Sequence, residues 1–218
     1  MHPYQSQLYA DHYNFLRLLN FLESEIACYE TDSGRYARLA VVLDIFDYVQ
    51  AYPERWHHPI EDAAFELLLS KQVPDSEQIL ALKSEHKQLE EITRKASQLF
   101  SSVANDVVVP VDELLNVTRK FIRRQRAHMD MENKVVYPLF DDHISVAEWT
   151  QLGELVKQRT DPLFDSQTSH SQTSHSQTIN QDKDRVLKEE YRNLYKLIMQ
   201  AERGVAVSAT ARALEETT

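Results

Sequence analysis

Three His-x-x-x-Glu pairs, His57/Glu61, His86/Glu90 and His128/Glu132, recur along the chain, each inside a stretch whose apolar residues repeat every three or four positions. A spacing of four sets both side chains on one face of a helix, one turn apart. His12 lies on a stripe of the same kind with Leu8, Phe15, Leu19, Leu22 and Ile26. One such pair would mean little, but three on separate helices, with a further histidine on another, constrain the fold strongly. A carboxylate in an apolar interior is costly unless it is paired or bound to metal. No lysine or arginine lies on these stripes to neutralise the glutamates. Helices that converge them must therefore enclose cations.

The remaining sequence reads as helices and their breaks. Only 3 glycines occur, too few for a β-rich domain with many tight turns. The first segment is interrupted at Asp32, Ser33 and Gly34. The second runs from Arg35 to about Ser70, carrying Leu39, Val42, Leu43, Phe46 and Val49, and Pro53 and Pro59 predict a break between Tyr52 and Trp56. Val73 to Ser76 stops and restarts the chain. The third segment bears Ile79, Leu82, Leu89, Thr93 and Phe100. Pro110 then opens the fourth, with Leu114, Val117, Phe121 and Val135, and Pro138 is expected to end it. Ser145 and Glu148 form a capping-box pattern at the start of a shorter helix.

Four long helices with short connections make an all-α, up-down-up-down four-helix bundle over residues 1–145 the economical arrangement. An accessory helix is expected over 146–165. A polar flexible linker follows over 166–182, where Ser-Gln-Thr-Ser-His occurs twice and contributes His170 and His175. A C-terminal helix with a frayed tail completes the chain over 183–218.

The net charge of −10 disfavours a nucleic-acid surface, and the basic run Lys120, Arg123, Arg124 and Arg126 reads as a solvated helix face. Cys28 is the only cysteine, so cysteine-based zinc and iron–sulfur sites are excluded. No apolar run approaches the roughly 20 residues that cross a bilayer, and no signal peptide is recognisable, so a cytoplasmic protein without a membrane span is expected. No Gly-x-Ser-x-Gly elbow or phosphate-cradling glycine loop occurs. His2 and His143 read as surface residues, and Tyr9, Tyr13, Tyr48 and Tyr52 as packing residues. His58 and Asp62 repeat the spacing of four one residue along, rotated about 100° round the helix, as outer or surface groups.

The candidate metal ligands are therefore His12, His57, Glu61, His86, Glu90, His128 and Glu132. Seven such ligands, with carboxylates able to bridge, exceed one tetrahedral zinc and suit two metals of higher coordination. Mixed imidazole and carboxylate ligation favours iron or manganese.

The order His12, then His57-His58-Pro59-Ile60-Glu61-Asp62, then His86, then His128-x-x-x-Glu132 resembles the hemerythrin-like, or HHE cation-binding, family over about residues 1 to 145. The resemblance implies a non-haem di-iron centre inside a four-helix bundle. His12, His57, His86 and His128 would be nitrogen ligands, and Glu61 and Glu132 would bridge two iron ions, with manganese and zinc as alternatives. The oxygen-carrying members have His-x-x-x-His where this chain has His86-x-x-x-Glu90, and His-x-x-x-x-Asp where it has His128-x-x-x-Glu132. Carboxylate in place of imidazole stabilises the ferric state. The expected partner is thus a small diatomic or peroxo ligand, met for sensing or detoxifying oxygen, nitric oxide or peroxide. Peroxidase- or catalase-like turnover and iron storage or donation are the alternatives. A homodimer, and a protein partner at the C-terminal helix, are compatible with the sequence.

Overall fold

The computed structural model describes residues 2–29, 38–157, 159–164 and 191–215. The Asp32–Gly34 break and the Ser-Gln-Thr-Ser-His repeats, with His170 and His175, lie outside the described residues. Every regular element among the described residues is helical. The chain divides into two units, Met1–Arg159 and Thr160–Thr218.

The first unit holds α1 (Pro3–Ile26), α2 (Leu39–Ala51), α3 (His58–Ser70), α4 (Ser76–Ala104), α5 (Val111–Met131), α6 (Tyr137–His143) and α7 (Val146–Leu155). Helix α1 packs on α2 and α5, α2 packs on α4, and α4 packs on α5. This closes an up-down-up-down ring of four, with α2 and α3 acting as one interrupted helix. The stripe facing inward on α4 is Ile79, Leu82, His86, Leu89, Thr93, Ala96 and Phe100, alternating steps of three and four. Below the histidines the core is apolar: Phe46 meets Phe100 and Phe121 at ring distances of 5.8 and 5.3 Å. The buried hydroxyls Thr93 and Thr118 bond to their own helix carbonyls at Leu89 and Leu114, which removes unpaired groups from this layer.

Both interruptions of the long helices have one cause. Pro59 and Pro138 each lack the amide that would bond four residues back, and each ring crowds that carbonyl. The helix loosens by one residue just upstream, giving π-turns at Pro53–His57 and Glu132–Val136. In them His58 N–H donates to Pro53 O, and Tyr137 N–H donates to Glu132 O, each five residues back. Pro138 therefore does not end the fourth helix, as its sequence suggested. It sits in the first turn of α6 and the chain continues.

With glycines so scarce, the connections flanking α4 place Gln72, Asp75 and Asp106 in the left-handed region, at φ of 55°, 61° and 60°. Ser145 and Glu148 form the full capping box of α7. On α7, Gly153 is a close-approach glycine: a Cβ there would lie 2.5 Å from the Tyr4 ring, whose hydroxyl donates to Gly153 O at 3.2 Å. Tyr4 is also stacked on Trp56, at 6.4 Å. Gly153→Ala is therefore expected to destabilise the fold by about 1–3 kcal/mol in urea unfolding, and Tyr4→Leu in the same chain should recover part of the loss. An unchanged midpoint would show that the α1–α7 contact carries no strain.

In the second unit, Asp161 Oδ1 accepts from Leu163 N and Phe164 N, and α8 (Arg192–Glu215) buries Leu194 and Ile198. No helix among the described residues is long and apolar enough to cross a membrane.

Candidate metal centre

Six of the seven expected side chains meet in the middle of the bundle. His12 comes from α1, His57 closes the first π-turn, and Glu61 lies in the first turn of α3. His86 comes from α4 and His128 from α5, and Glu132 opens the second π-turn. All six are buried, Glu61 and Glu132 completely. They form two clusters, His12/His57/Glu61 and His86/His128/Glu132, whose ligand atoms lie within 4.8 Å of one another.

The two carboxylates tie the clusters together. Glu61 Oε1 lies 3.5 Å from His12 Nε2 and 3.2 Å from His57 Nε2, while its Oε2 lies 3.6 Å from His86 Nε2. Glu132 Oε1 lies 2.9 Å from His128 Nε2 and 3.5 Å from His86 Nε2, while its Oε2 lies 3.3 Å from His12 Nε2. Each glutamate thus turns one oxygen to each histidine pair. Yet Glu61 Oε2, His86 Nε2, His128 Nε2 and both oxygens of Glu132 are buried without a hydrogen-bond partner. Buried polar atoms are nearly always bonded. Donor atoms that crowd together without bonding one another are arranged for cations between them. Two positions, each with two imidazoles and one oxygen from each carboxylate, fit a pair of metal ions.

The far nitrogens of the four histidines are all engaged. His12 Nδ1 bonds to Asn133 Oδ1 at 3.0 Å and His57 Nδ1 to Asp11 Oδ2 at 3.0 Å. His86 Nδ1 bonds to Asp62 Oδ1 at 2.8 Å and His128 Nδ1 to Glu85 Oε2 at 3.0 Å. Each acceptor fixes its histidine with the proton on Nδ1 and leaves Nε2 free to ligate. Asp11 is itself held by Gln7 Nε2 at 2.8 Å and by the Tyr52 hydroxyl at 3.3 Å.

The π-turns explain two of these contacts. A residue five along an α-helix points well away, but the extra residue in a π-turn brings it back to the same face. Tyr52 and His57 can therefore both reach Asp11. Likewise Tyr137 shares the face of Glu132, and its hydroxyl donates to Glu61 Oε1 at 2.5 Å and lies 3.0 Å from His12 Nε2. Its ring stacks on His12 and meets Tyr9 edge-on at 4.9 Å.

The electrostatics of these side chains follow from the contacts. Burial opposes a charge on His86, but the hydrogen bond to Asp62 and the nearby Glu132 and Glu61 carboxylates outweigh it and raise its pKa to about 9. Burial is likewise outweighed at His128, where the charge of the adjacent Glu132 and the hydrogen bond to Glu85 raise it to about 10. Burial alone would raise Glu132, yet the charge on His128 and the close approach of His12 and His86 hold it well below the carboxylate range. Glu61 is lowered in the same way, with His57 and His12 prevailing over burial and over repulsion from Glu132. Burial pushes the Tyr137 hydroxyl well up, and the glutamates reinforce it, so it stays protonated.

Glu90 is the expectation that the structure does not meet. It is exposed, beside a surface groove lined by Gln50, Glu54, Lys87, Glu91 and Arg94. Leu82 to His86 is a step of four on α4, so the next inward position is Leu89 and Glu90 falls off the stripe. On α5 the step Gln125 to His128 is three, so the next inward position is Glu132. That alternation was the available signal. Asp62, read as an outer or surface group, is the His86 partner, and Tyr52 does more than pack. The spacing of four that marks the histidines and glutamates does not point to Asp11, Glu85, Asn133 or Tyr137. His58, also read as outer, is buried, and His2 caps α1 by accepting from Tyr4 N.

A family model for the hemerythrin HHE cation binding domain matches residues 5–140, which include all six converging side chains. No curated protein and no solved structure matches the chain significantly.

Proposed function

The chain belongs to the hemerythrin HHE cation-binding family, and we propose that it is a non-haem di-iron protein that takes up oxygen, nitric oxide or hydrogen peroxide for sensing or detoxification. The observation that carries this reading is the pair of buried glutamates, each with one oxygen toward each histidine pair. His12 and His57 would hold one ion, His86 and His128 the other, and Glu61 and Glu132 would bridge them. Iron in such mixed ligation supplies redox chemistry and an open coordination position for a small molecule.

The chain's own groups set the conditions. Phe15 lies 6.2 Å from His57 and Phe65 5.9 Å from His86, ring to ring, and with Tyr137 they keep water from the donors. Tyr137 holds a proton on its hydroxyl against Glu61 Oε1. Asp11, Asp62 and Glu85 raise the basicity of three imidazoles, which favours the ferric state. With Glu90 at the surface, stabilisation of the ferric state falls to these outer carboxylates and to Glu132.

The test is metal analysis of protein purified without added metal, with optical spectra before and after dithionite. Close to two irons per chain and charge-transfer bands that bleach on reduction are expected, with both lost in Glu61→Ala. A colourless zinc protein whose spectrum ignores dithionite would defeat the reading.

A further inference from the structure

His58 is the one buried histidine of the bundle that the metal reading does not use. It opens α3 directly after His57 and is only 5% exposed. Its ring lies 4.2 Å from that of His86, 7° from parallel. It meets the rings of His57 and His128 nearly edge-on, at 6.0 and 6.3 Å. Three of the four imidazoles assigned as ligands therefore surround it.

Its hydrogen bonding sets it apart from those four. Each of them has Nδ1 tied to Asn133, Asp11, Asp62 or Glu85. His58 Nδ1 is buried with no hydrogen-bond partner. His58 also stands outside the two clusters whose donor atoms converge within 4.8 Å. It thus belongs to neither cluster, and no outer acceptor holds its Nδ1 as one holds the Nδ1 of each ligand histidine. A neutral imidazole carries an N–H on one nitrogen and a lone pair on the other, and a buried one normally satisfies both. A polar atom kept free beside the metal positions suits a guest that arrives there.

We propose that His58 is the positioning residue that hydrogen-bonds the outer atom of a small molecule bound at the His86/His128 end of the centre. The guest class is a two- or three-atom molecule or anion that accepts a hydrogen bond when its inner atom is metal-bound. The two ends of the centre are then distinct, because the His12/His57 end has Tyr137 engaged with Glu61 and His12. This inference rests on the di-iron reading above.

Azide is the probe, added to the iron-loaded protein. His58→Phe and His58→Gln should both retain the iron content and charge-transfer spectrum of the parent. In His58→Phe azide should bind about tenfold more weakly or worse, and the shift of its infrared stretch between H2O and D2O should vanish. His58→Gln should restore a D2O-sensitive stretch and part of the affinity, which a purely space-filling role would not predict. Equal affinity and an unchanged D2O shift in His58→Phe would overturn the proposal. So would loss of one iron in that variant, because His58 would then be a ligand. A parent chain that takes up no iron overturns this inference and the di-iron reading together. Two irons with azide binding indifferent to residue 58 overturns this inference alone.

Discussion

Glu132→Gln is expected to strip the centre of metal while leaving a helical, monodisperse chain, and Glu90→Gln is expected to change neither. Glu132 spans both histidine pairs, so on the di-iron reading its loss would remove an anionic ligand from both ions at once. Outer hydrogen-bonding partners of metal ligands are commonly worth ten- to a hundredfold in affinity, and a bridging carboxylate should exceed about a hundredfold. The metal-free form should suffer as well. Glu132 is fully buried among imidazoles that its charge keeps protonated. Removing one member of a buried charged network costs about 3–5 kcal/mol, because the partners stay behind uncompensated. Metal content by elemental analysis and urea unfolding of the metal-free variants check both parts. Two metals retained in Glu132→Gln, or lost in Glu90→Gln, would show that the bridging assignment is wrong.

The contrast between those two glutamates shows what could be read in the sequence. Each lies four residues after a histidine, and spacing alone treats them as equals. The helix stripe separates them, because inward positions alternate steps of three and four and only Glu132 keeps the phase. The bundle was legible because its apolar stripes are long and regular. Pairs of positions spanning a π-turn were not. Tyr137 stands five residues from Glu132 and Tyr52 five from His57, spacings that an ideal α-helix sends to different faces. The prolines that shift the phase were visible, but Pro138 read as a terminator, since nothing local distinguishes an ending helix from one that loosens and resumes. Asp11, Glu85 and Asn133 were hidden for another reason. Each reaches across to a histidine on a different helix, so its partner is set by tertiary packing, which leaves no mark in local spacing.

The metal-free and metal-loaded proteins should respond to pH in opposite directions. In the metal-free chain His86 and His128 titrate near 9 and 10, and His12 and His57 are also raised above the ordinary 6.5. A histidine raised in the folded state contributes stability that is fully present below pH 6.5 and is lost as pH climbs through the folded value. The lowered Glu61 and Glu132 contribute stability present above pH 4.5 and lost as pH falls below it. These are two views of the same ion pairs, so the whole effect is about 3–5 kcal/mol rather than their sum. Stability of the metal-free form should therefore peak between about pH 4.5 and 6.5 and decline toward pH 10. Metal ligation instead requires neutral imidazoles, so binding expels those protons and strengthens as pH rises. The gap in Tm between loaded and metal-free protein should widen steadily from pH 6 to pH 10. Thermal unfolding of both forms across that range checks it, with metal-free His128→Gln as the control whose alkaline decline should be shallower. A metal-free protein as stable at pH 10 as at pH 6 would mean that its buried imidazoles carry no charge, and the electrostatic account of the centre would fail.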